Sequence, residues 1–342
     1  MIITKTPFRV SFFGGGTDYP EYFERHGGAV LGTAIGHSAF LSVSHFYSRL
    51  FEYNLRISYR EVECVNALDE IRHAAFRECL RRCNVTRDIE VNYTAHLPSF
   101  SGLGTSSSFV VGLLNALHTF QGRSVAPIDL AYEAIELERD VLKENVGCQD
   151  QAFAALGGFN LIEFHSQRDI RAYPVALSPE KKDIFQQHLM MFYTGIRRRA
   201  SEVALRQIQK IPQNLSTLKR MRKLVDDAYH CLTGNFDPCR FGVLLDESWR
   251  LKQSLEDGVA SGPITELYAT GMAAGALGGK LLGAGGGGFL LFIVPPENQA
   301  RVRAALALEE IPLEIGTPGT HVLHDSLEQR VPTVRAASEA AS

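Results

Sequence analysis

Alternation of hydrophobic and polar residues divides the first half of the chain into strands and helices. Residues 28–46 alternate apolar and small side chains, and residues 88–96 alternate cleanly, so both stretches predict β-strands. Asn66–Arg82 and Pro127–Lys143 place apolar residues at helical spacing, which predicts amphipathic helices. Residues 158–174 predict a hairpin with a short polar tip. The first half therefore mixes strands with helices.

The pattern changes in the second half of the chain. Residues 198–276 are mostly helical in pattern, with long polar faces. Residues 278–296, GGKLLGAGGGGFLLFIVPP, return to strand character around a glycine cluster, and residues 297–309 predict another helix. The second half is therefore expected to combine helices with a small sheet.

This change of pattern and the length of 342 residues both indicate two domains. The boundary is expected near residues 175–190. The predicted division is a first domain at 1–180, a second at 181–330 and a frayed tail at 331–342.

Composition excludes several function classes. The chain is 45% hydrophobic and carries a formal net charge of -3, so nothing favours nucleic acid or an acidic membrane as a partner. The N-terminus lacks the apolar core of a signal peptide, and no apolar run is long enough for a membrane span. We therefore expect a cytoplasmic protein. Its six cysteines, none in a C-x-x-C pair, are interpreted as free thiols.

Three glycine clusters suggest a small-molecule site. They are Phe12–Tyr19 (FFGGGTDY), Gly102–Ser108 (GLGTSSS) and Gly283–Gly288 (GAGGGG). Runs of glycine cost backbone entropy on folding, and they are easiest to explain where backbone approaches a ligand closely.

Neither of the common glycine motifs fits. The third cluster matches the letters of the dinucleotide fingerprint, but a strand follows it where a helix is required. The pair Gly279-Lys280 is followed by Leu281, where a phosphate-binding Walker loop needs a hydroxyl.

The second cluster predicts an anion site. It leads directly into an apolar helix pattern, and the first amides of a helix are unpaired and carry partial positive charge. Two glycines let backbone approach an anion, and four consecutive hydroxyl residues follow, of which one suits magnesium. A serine N-cap would explain one hydroxyl only. The loop therefore predicts phosphate binding.

With these residues identified, the chain resembles the galactokinase, homoserine kinase, mevalonate kinase and phosphomevalonate kinase (GHMP) family. PSFSGLGTSSS resembles its phosphate motif P-x-G-x-G-L-G-S-S-A-A, although Phe100 stands where glycine is frequent. TPFRVSFFGGGTDY and KLLGAGGGGFLLFI resemble its first and third motifs, in the family's order. The resemblance covers nearly the whole chain.

Within the family, GGGTD, LGTSSS, ELERDVLKENVGCQDQ and YTGIRRRASEV resemble the D-glycero-D-manno-heptose 7-phosphate kinase group. Gly15 and Gly16 replace a galactokinase Glu-His pair, which argues against galactose. The resemblance implies an α+β fold of two lobes, a ribosomal protein S5 domain 2-like N-terminal domain and a ferredoxin-like C-terminal domain, with the active site between them.

The implied activity is phosphorylation of the C1 hydroxyl of D-glycero-D-manno-heptose 7-phosphate, with ATP and Mg²⁺ as cofactors. Two alternatives stay open: a kinase for an unphosphorylated sugar such as fucose, and an inactive protein that binds sugar and ATP. The partner is a sugar or phosphosugar, with no nucleic acid or membrane expected and a homodimer left open.

The resemblance also implies roles for individual residues. Asp150 would accept or orient the hydroxyl proton, and Arg9 would keep it ionised. Ser106 and Glu138 would bind the metal, with Glu136 as an alternative because the family's spacing to the aspartate is one residue shorter. ATP would contact Ser101, Gly102, Leu103, Gly104, Thr105, Ser106, Ser107 and Ser108.

Substrate contacts are implied at three places in the chain. Asp18 aligns with a sugar-hydroxyl ligand, and a carboxylate can accept two hydrogen bonds from neighbouring hydroxyls. One arginine of Arg197–Arg199 would bind the second phosphate, since its fork fits phosphate geometry; an ordinary solvated helix start is equally consistent. The implied substrate residues are Gly15, Gly16, Asp18, Arg197, Gly285, Gly286 and Gly287.

Overall fold

The structure is a computed structural model that describes residues 1–99, 101–196, 200–256, 258–260 and 262–326. The predicted tail at 331–342 and Arg197 lie outside these residues. The strands are β1 (Ile2–Phe13), β2 (Gly28–His45), β3 (Leu55–Ser58), β4 (Val62–Val65), β5 (Ile89–Ala95), β6 (Phe159–Ser166), β7 (Asp169–Pro174), β8 (Leu189–Tyr193), β9 (Gly278–Leu281), β10 (Phe289–Ile293), β11 (Glu309–Glu310) and β12 (His321–Asp325).

The helices surround two separate sheets. They are α1 (Pro20–His26), α2 (Ala74–Arg82), α3 (Thr105–Phe120), α4 (Pro127–Glu136), α5 (Gln149–Leu156), α6 (Pro179–Gln187), α7 (Ala200–Gln209), α8 (Leu215–Thr233), α9 (Pro238–Leu255), α10 (Gly262–Ala273) and α11 (Pro296–Leu306). No helix in the described ranges is long and apolar enough to cross a membrane.

The larger sheet has the order β12-β1-β2-β5-β3-β4, with β6 and β7 added beside the first half of β2. The long strand β2 pairs with three neighbours, because its first residues contact β6 and its last contact β5. Helix α3 packs against β1 and β2 and is buried on almost every side. This burial fixes where the helix begins, and therefore where the second glycine cluster lies.

The smaller sheet has the antiparallel order β11-β8-β10-β9 and belongs to the second half of the chain. The two halves meet in shared hydrophobic clusters, in one of which Phe12 and Phe13 of β1 contact Phe241 of α9. The shared clusters hold the glycine loops of both halves in contact.

The chain returns to the first sheet at its C-terminal end. Strand β12 pairs antiparallel with β1, matching Ile2 with Asp325. The predicted division at residue 180 stays a prediction, but the larger sheet takes its last strand from beyond that boundary.

Most of the predicted elements are confirmed. Strand β2 covers the first alternating stretch and β5 the second, β6 and β7 form the hairpin, and α11 covers the helix predicted near residue 300. Helices α7 to α10 confirm the helical character of the second half. All six cysteines are free thiols, as predicted.

Two helix predictions need correction. The helix predicted from Asn66 begins only at Ala74, because the Glu63 carboxylate accepts hydrogen bonds from the amides of Arg72 and His73 and holds that segment outside the helix. The helix predicted over Pro127–Lys143 stops being α-helical at Glu136 and continues as one wider π turn over Leu137–Val141. Such turns are frequent at functional sites.

Candidate active site

The second and third glycine clusters lie against each other. A Cβ on Gly102 would lie 2.5 Å from the carbonyl oxygen of Leu282, and a Cβ on Gly288 would lie 2.3 Å from that of Ser101. Gly102 also has φ +79°, a conformation that side chains disfavour. Glycine is therefore required here by the close approach of two backbones, one from each half of the chain.

The loop that precedes α3 fits an anion. Gly104 ends it in a left-handed conformation, and no side chain caps the free amides of the helix. The Ser101 hydroxyl is buried without a hydrogen-bond partner among the described residues. A buried polar group without a partner is rare, so this hydroxyl indicates a ligand. The arrangement fits the phosphates predicted for this loop.

The hydroxyl residues of α3 meet a buried carboxylate. Ser107 Oγ donates to Glu138 at 2.7 Å and Ser106 Oγ at 3.3 Å, and Gln151 donates to the same group. The π turn carries Glu138 inward to zero exposure, so it is not on a solvated helix face. Burial raises the pKa of Glu138 to about 7.

This oxygen cluster fits a divalent cation. Hydroxyl and carboxylate oxygens suit Mg²⁺, and a cation would offset the burial that disfavours the charged form of Glu138. The alternative Glu136 lies at the surface, where it pairs with Arg82 and Arg168. The geometry favours Glu138.

Arg9 and Asp150 form a direct ion pair. Arg9 Nη2 lies 2.7 Å from Asp150 Oδ1, and its Nε donates to the same oxygen at 2.8 Å. Arg9 lies on β1 and is buried. Its Nη1 donates to the Gly102 carbonyl at 2.6 Å, which connects the carboxylate to the phosphate loop.

Asp18 lies beside this pair. Its Oδ1 accepts from the Gly16 amide and its Oδ2 from the side chain of Gln149, each at 2.9 Å. Burial raises the pKa of Asp18, and the charge of Asp150 also contributes. The structure therefore places Asp18, the residue predicted to bind a sugar hydroxyl, next to Asp150, the predicted catalytic residue.

Two buried lysines were not predicted from the sequence. Lys252 of α9 donates to the Gly283 carbonyl at 2.6 Å, and Lys280 of β9 donates to the carbonyls of Ser11 and Phe12. Burial lowers the pKa of Lys252 to about 8. One signal was available for Lys252, since helical spacing places it on the face that buries Leu245 and Trp249.

The glycines of the third cluster have packing roles. A Cβ on Gly285 would lie 2.8 Å from Val259 Cα, and one on Gly287 would lie 2.4 Å from the Ile196 carbonyl oxygen. The Gly286 amide donates to the Val259 carbonyl. Substrate contact by these three glycines stays a prediction, as does the phosphate role of Arg197, which lies outside the described residues.

Comparison with known proteins identifies the family. The profile described as GHMP kinases N terminal domain matches residues 66–158, and the profile described as GHMP kinases C terminal matches residues 233–310. The two matches follow the order of the motifs along the chain.

Two curated relatives cover most of the chain. The D-glycero-alpha-D-manno-heptose 7-phosphate kinase of Campylobacter jejuni is 29% identical over 90% of this chain and 94% of the relative. The L-fucokinase/L-fucose-1-P guanylyltransferase of Bacteroides fragilis is 28% identical over 90% of this chain but only 36% of its own length.

Solved structures share the fold. A D-glycero-D-manno-heptose 1-phosphate kinase from Bacteroides thetaiotaomicron superposes with a TM-score of 0.78 at 21% identity, covering 95% of this chain and 99% of its own. Lactococcus lactis galactokinase in complex with galactose gives 0.70 at 16% identity, covering 94% of both chains. The predicted two-lobed α+β fold is confirmed. With both profiles matched in order, the chain belongs to the GHMP kinase family and is a phosphotransferase whose acceptor is an alcohol group.

Proposed function

We propose that this protein is an ATP- and Mg²⁺-dependent sugar kinase that phosphorylates the C1 hydroxyl of D-glycero-D-manno-heptose 7-phosphate. One observation carries the kinase chemistry: the Arg9–Asp150 ion pair is hydrogen-bonded to the phosphate loop and lies beside Asp18. The likeness over 90% of the chain to a heptose 7-phosphate kinase supports the sugar.

The phosphate end of the site would hold ATP. The loop from Ser101 to Gly104 and the first amides of α3 would bind its phosphates. Ser106 and Glu138 would hold Mg²⁺, which would neutralise charge on the transferred phosphoryl group.

Asp150 would act on the acceptor hydroxyl. Arg9 occupies its Oδ1, whereas a Cβ on Gly104 would lie 3.3 Å from its Oδ2, so this second oxygen faces the phosphate loop. In the reaction the hydroxyl proton passes to Asp150, the sugar oxygen bonds to the γ-phosphorus, and the bond from that phosphorus to ADP breaks. Asp18 would bind a second hydroxyl and orient the sugar.

A second candidate is a kinase for an unphosphorylated sugar such as fucose. The fucokinase relative, which matches 90% of this chain, favours it. A cytoplasmic location and a homodimer stay predictions, and an inactive sugar- and ATP-binding protein is the third alternative.

Phosphorus NMR of the purified protein with Mg-ATP separates these functions. With D-glycero-D-manno-heptose 7-phosphate, a new anomeric phosphate resonance is expected. A resonance with fucose but not with the heptose would show that the protein is a sugar kinase with a different substrate. No transfer to either sugar would overturn the proposed function and favour the inactive binding protein.

A further inference from the structure

We propose that Lys252 and Gln149 form a donor–acceptor pair across Gly15 that recognises the hydroxyl group next to the phosphorylated one. This inference rests on the proposed sugar kinase function and deepens it. For transfer to C1, the recognised group is the C2 hydroxyl of the sugar.

Lys252 supplies the donor. Its side chain is 6% exposed, and among the described residues its ammonium has one hydrogen-bond acceptor, the Gly283 carbonyl. An ammonium carries three donors, so two remain for a ligand. Asp18, Arg9, Asp150 and Lys280 all lie within electrostatic reach of this ammonium, which places it near the reacting end of the site.

Gln149 supplies the acceptor. Its side-chain nitrogen donates to Asp18, which fixes the orientation of the amide. Its oxygen Oε1 is buried and has no hydrogen-bond partner in the described part of the chain. Leaving a buried acceptor unpaired is costly, so a group that donates to Oε1 is expected in the complex.

Gly15 leaves the space between these two side chains open. A Cβ built on Gly15 would have Lys252 Nζ at 3.5 Å and Gln149 Nε2 at 3.9 Å, and, apart from Gly14 and Gly16, no other atom of the described residues within 4 Å. Its φ lies outside the left-handed region. Neither strain nor a clash therefore requires glycine here, and the missing side chain leaves room for a ligand group beside the Lys252 ammonium and the Gln149 amide nitrogen.

The chemistry of the pair selects a hydroxyl. A hydroxyl can accept from Lys252 and donate to Gln149 Oε1 at the same time. A carbonyl would leave the Gln149 oxygen unpaired, and a deoxy carbon would leave both groups unpaired. Together with Asp18, the pair fits a polyol with neighbouring hydroxyl groups.

The test measures how strongly each protein prefers the sugar over its deoxy analogues, rather than activity alone. The sugar accepted by the wild-type protein, its 2-deoxy analogue and its 4-deoxy analogue are assayed with wild type, Lys252→Met and Gly15→Ala. We expect wild type to prefer the sugar over the 2-deoxy analogue by about 100-fold or more in kcat/KM. The reason is that the bound 2-deoxy analogue would leave Lys252 and Gln149 Oε1 buried without a partner. Lys252→Met should reduce that preference at least about tenfold and leave the preference over the 4-deoxy analogue unchanged.

Gly15→Ala provides an independent arm. Its methyl group fits without strain, so the variant should fold, raise KM for the sugar about tenfold or more and leave KM for ATP unchanged. Lys280→Met is the matched control, because Lys280 is equally buried but donates to two backbone carbonyls of the protein. It should lower stability without changing the preference between the sugar and its 2-deoxy analogue.

The outcomes separate this inference from the function on which it rests. If wild type is active but wild type and Lys252→Met prefer the sugar over its 2-deoxy analogue equally, this inference is overturned and the proposed function stands. An unchanged KM for the sugar in Gly15→Ala would have the same meaning. If wild type transfers phosphate to no sugar, the proposed function fails and this inference fails with it.

Discussion

Arg9 binds one carboxylate oxygen of Asp150 and leaves the other facing the phosphate loop. Both of its contacts to the carboxylate, at 2.7 and 2.8 Å, reach Oδ1, while Oδ2 points toward Gly104. The same guanidinium donates to the carbonyl of Gly102. The two oxygens of Asp150 therefore have different surroundings, one suited to orientation and the other to proton transfer.

Asp150→Asn should retain ATP binding and lose about 10²–10⁴-fold in kcat, because an amide keeps the shape but cannot take a proton. Steady-state kinetics and ATP titration measure the two quantities. Asp169→Asn is the control, since Asp169 pairs with Arg171 at the surface. Near-normal kcat in Asp150→Asn would remove Asp150 from the catalytic role.

Glu138→Gln should weaken metal binding about tenfold or more, because it removes the charge of the buried carboxylate while keeping its shape. Electron paramagnetic resonance of Mn²⁺, with an ATP analogue bound, reports this without any turnover. Glu136→Gln is the matched control two residues away, where the carboxylate pairs with surface arginines. Equal Mn²⁺ affinity in the two variants would exclude Glu138 as a ligand.

Gly102→Ala should destabilise the protein more than Gly122→Ala. Both glycines have positive φ, +79° and +71°, so each alanine should cost about 1–2 kcal/mol of backbone strain. Only Gly102 also faces a backbone oxygen, at 2.5 Å from the added Cβ, whereas Gly122 has open space. Urea unfolding compares the two, and ATP affinity should fall only in Gly102→Ala. Equal losses of stability would contradict the close approach of the loops.

The free energy of unfolding should depend on pH through Lys252. The pKa of Lys252 is about 8 in the folded protein, below its ordinary value of 10.5, because burial disfavours the ammonium. Below pH 8 both states carry the charge and burial lowers stability by a constant amount. Between pH 8 and 10.5 the unfolded state binds more protons, so the contribution to stability rises with pH.

The comparison of wild type with Lys252→Met isolates this effect. Wild type should gain up to about 3 kcal/mol relative to the variant between pH 8 and 10.5. Urea unfolding at several pH values measures the gain. A difference between the two proteins that stays constant, or that falls with rising pH, would show that Lys252 is not buried as a charge.

Sequence reasoning works best for the part of the candidate site that is built from one contiguous segment. The hydroxyl loop and its helix are contiguous, so glycine placement and apolar periodicity were sufficient to predict an anion site. Helical spacing could indicate that Lys252 is buried, but its position beside the glycine loop could not be inferred, because α9 reaches that loop only through the packing of two halves of the chain. The late start of α2 was missed for a similar reason, since Glu63 holds it from a neighbouring strand.

The pairing of β12 with β1 has a consequence for synthesis on the ribosome. Strand β1 is made long before its edge partner at His321–Asp325. At about 5–20 residues per second, β1 waits for that partner for roughly a quarter of a minute to a minute. A nascent chain that has already folded β1 onto β2 exposes an open strand edge throughout that time, which is a template for aggregation and a binding site for a chaperone.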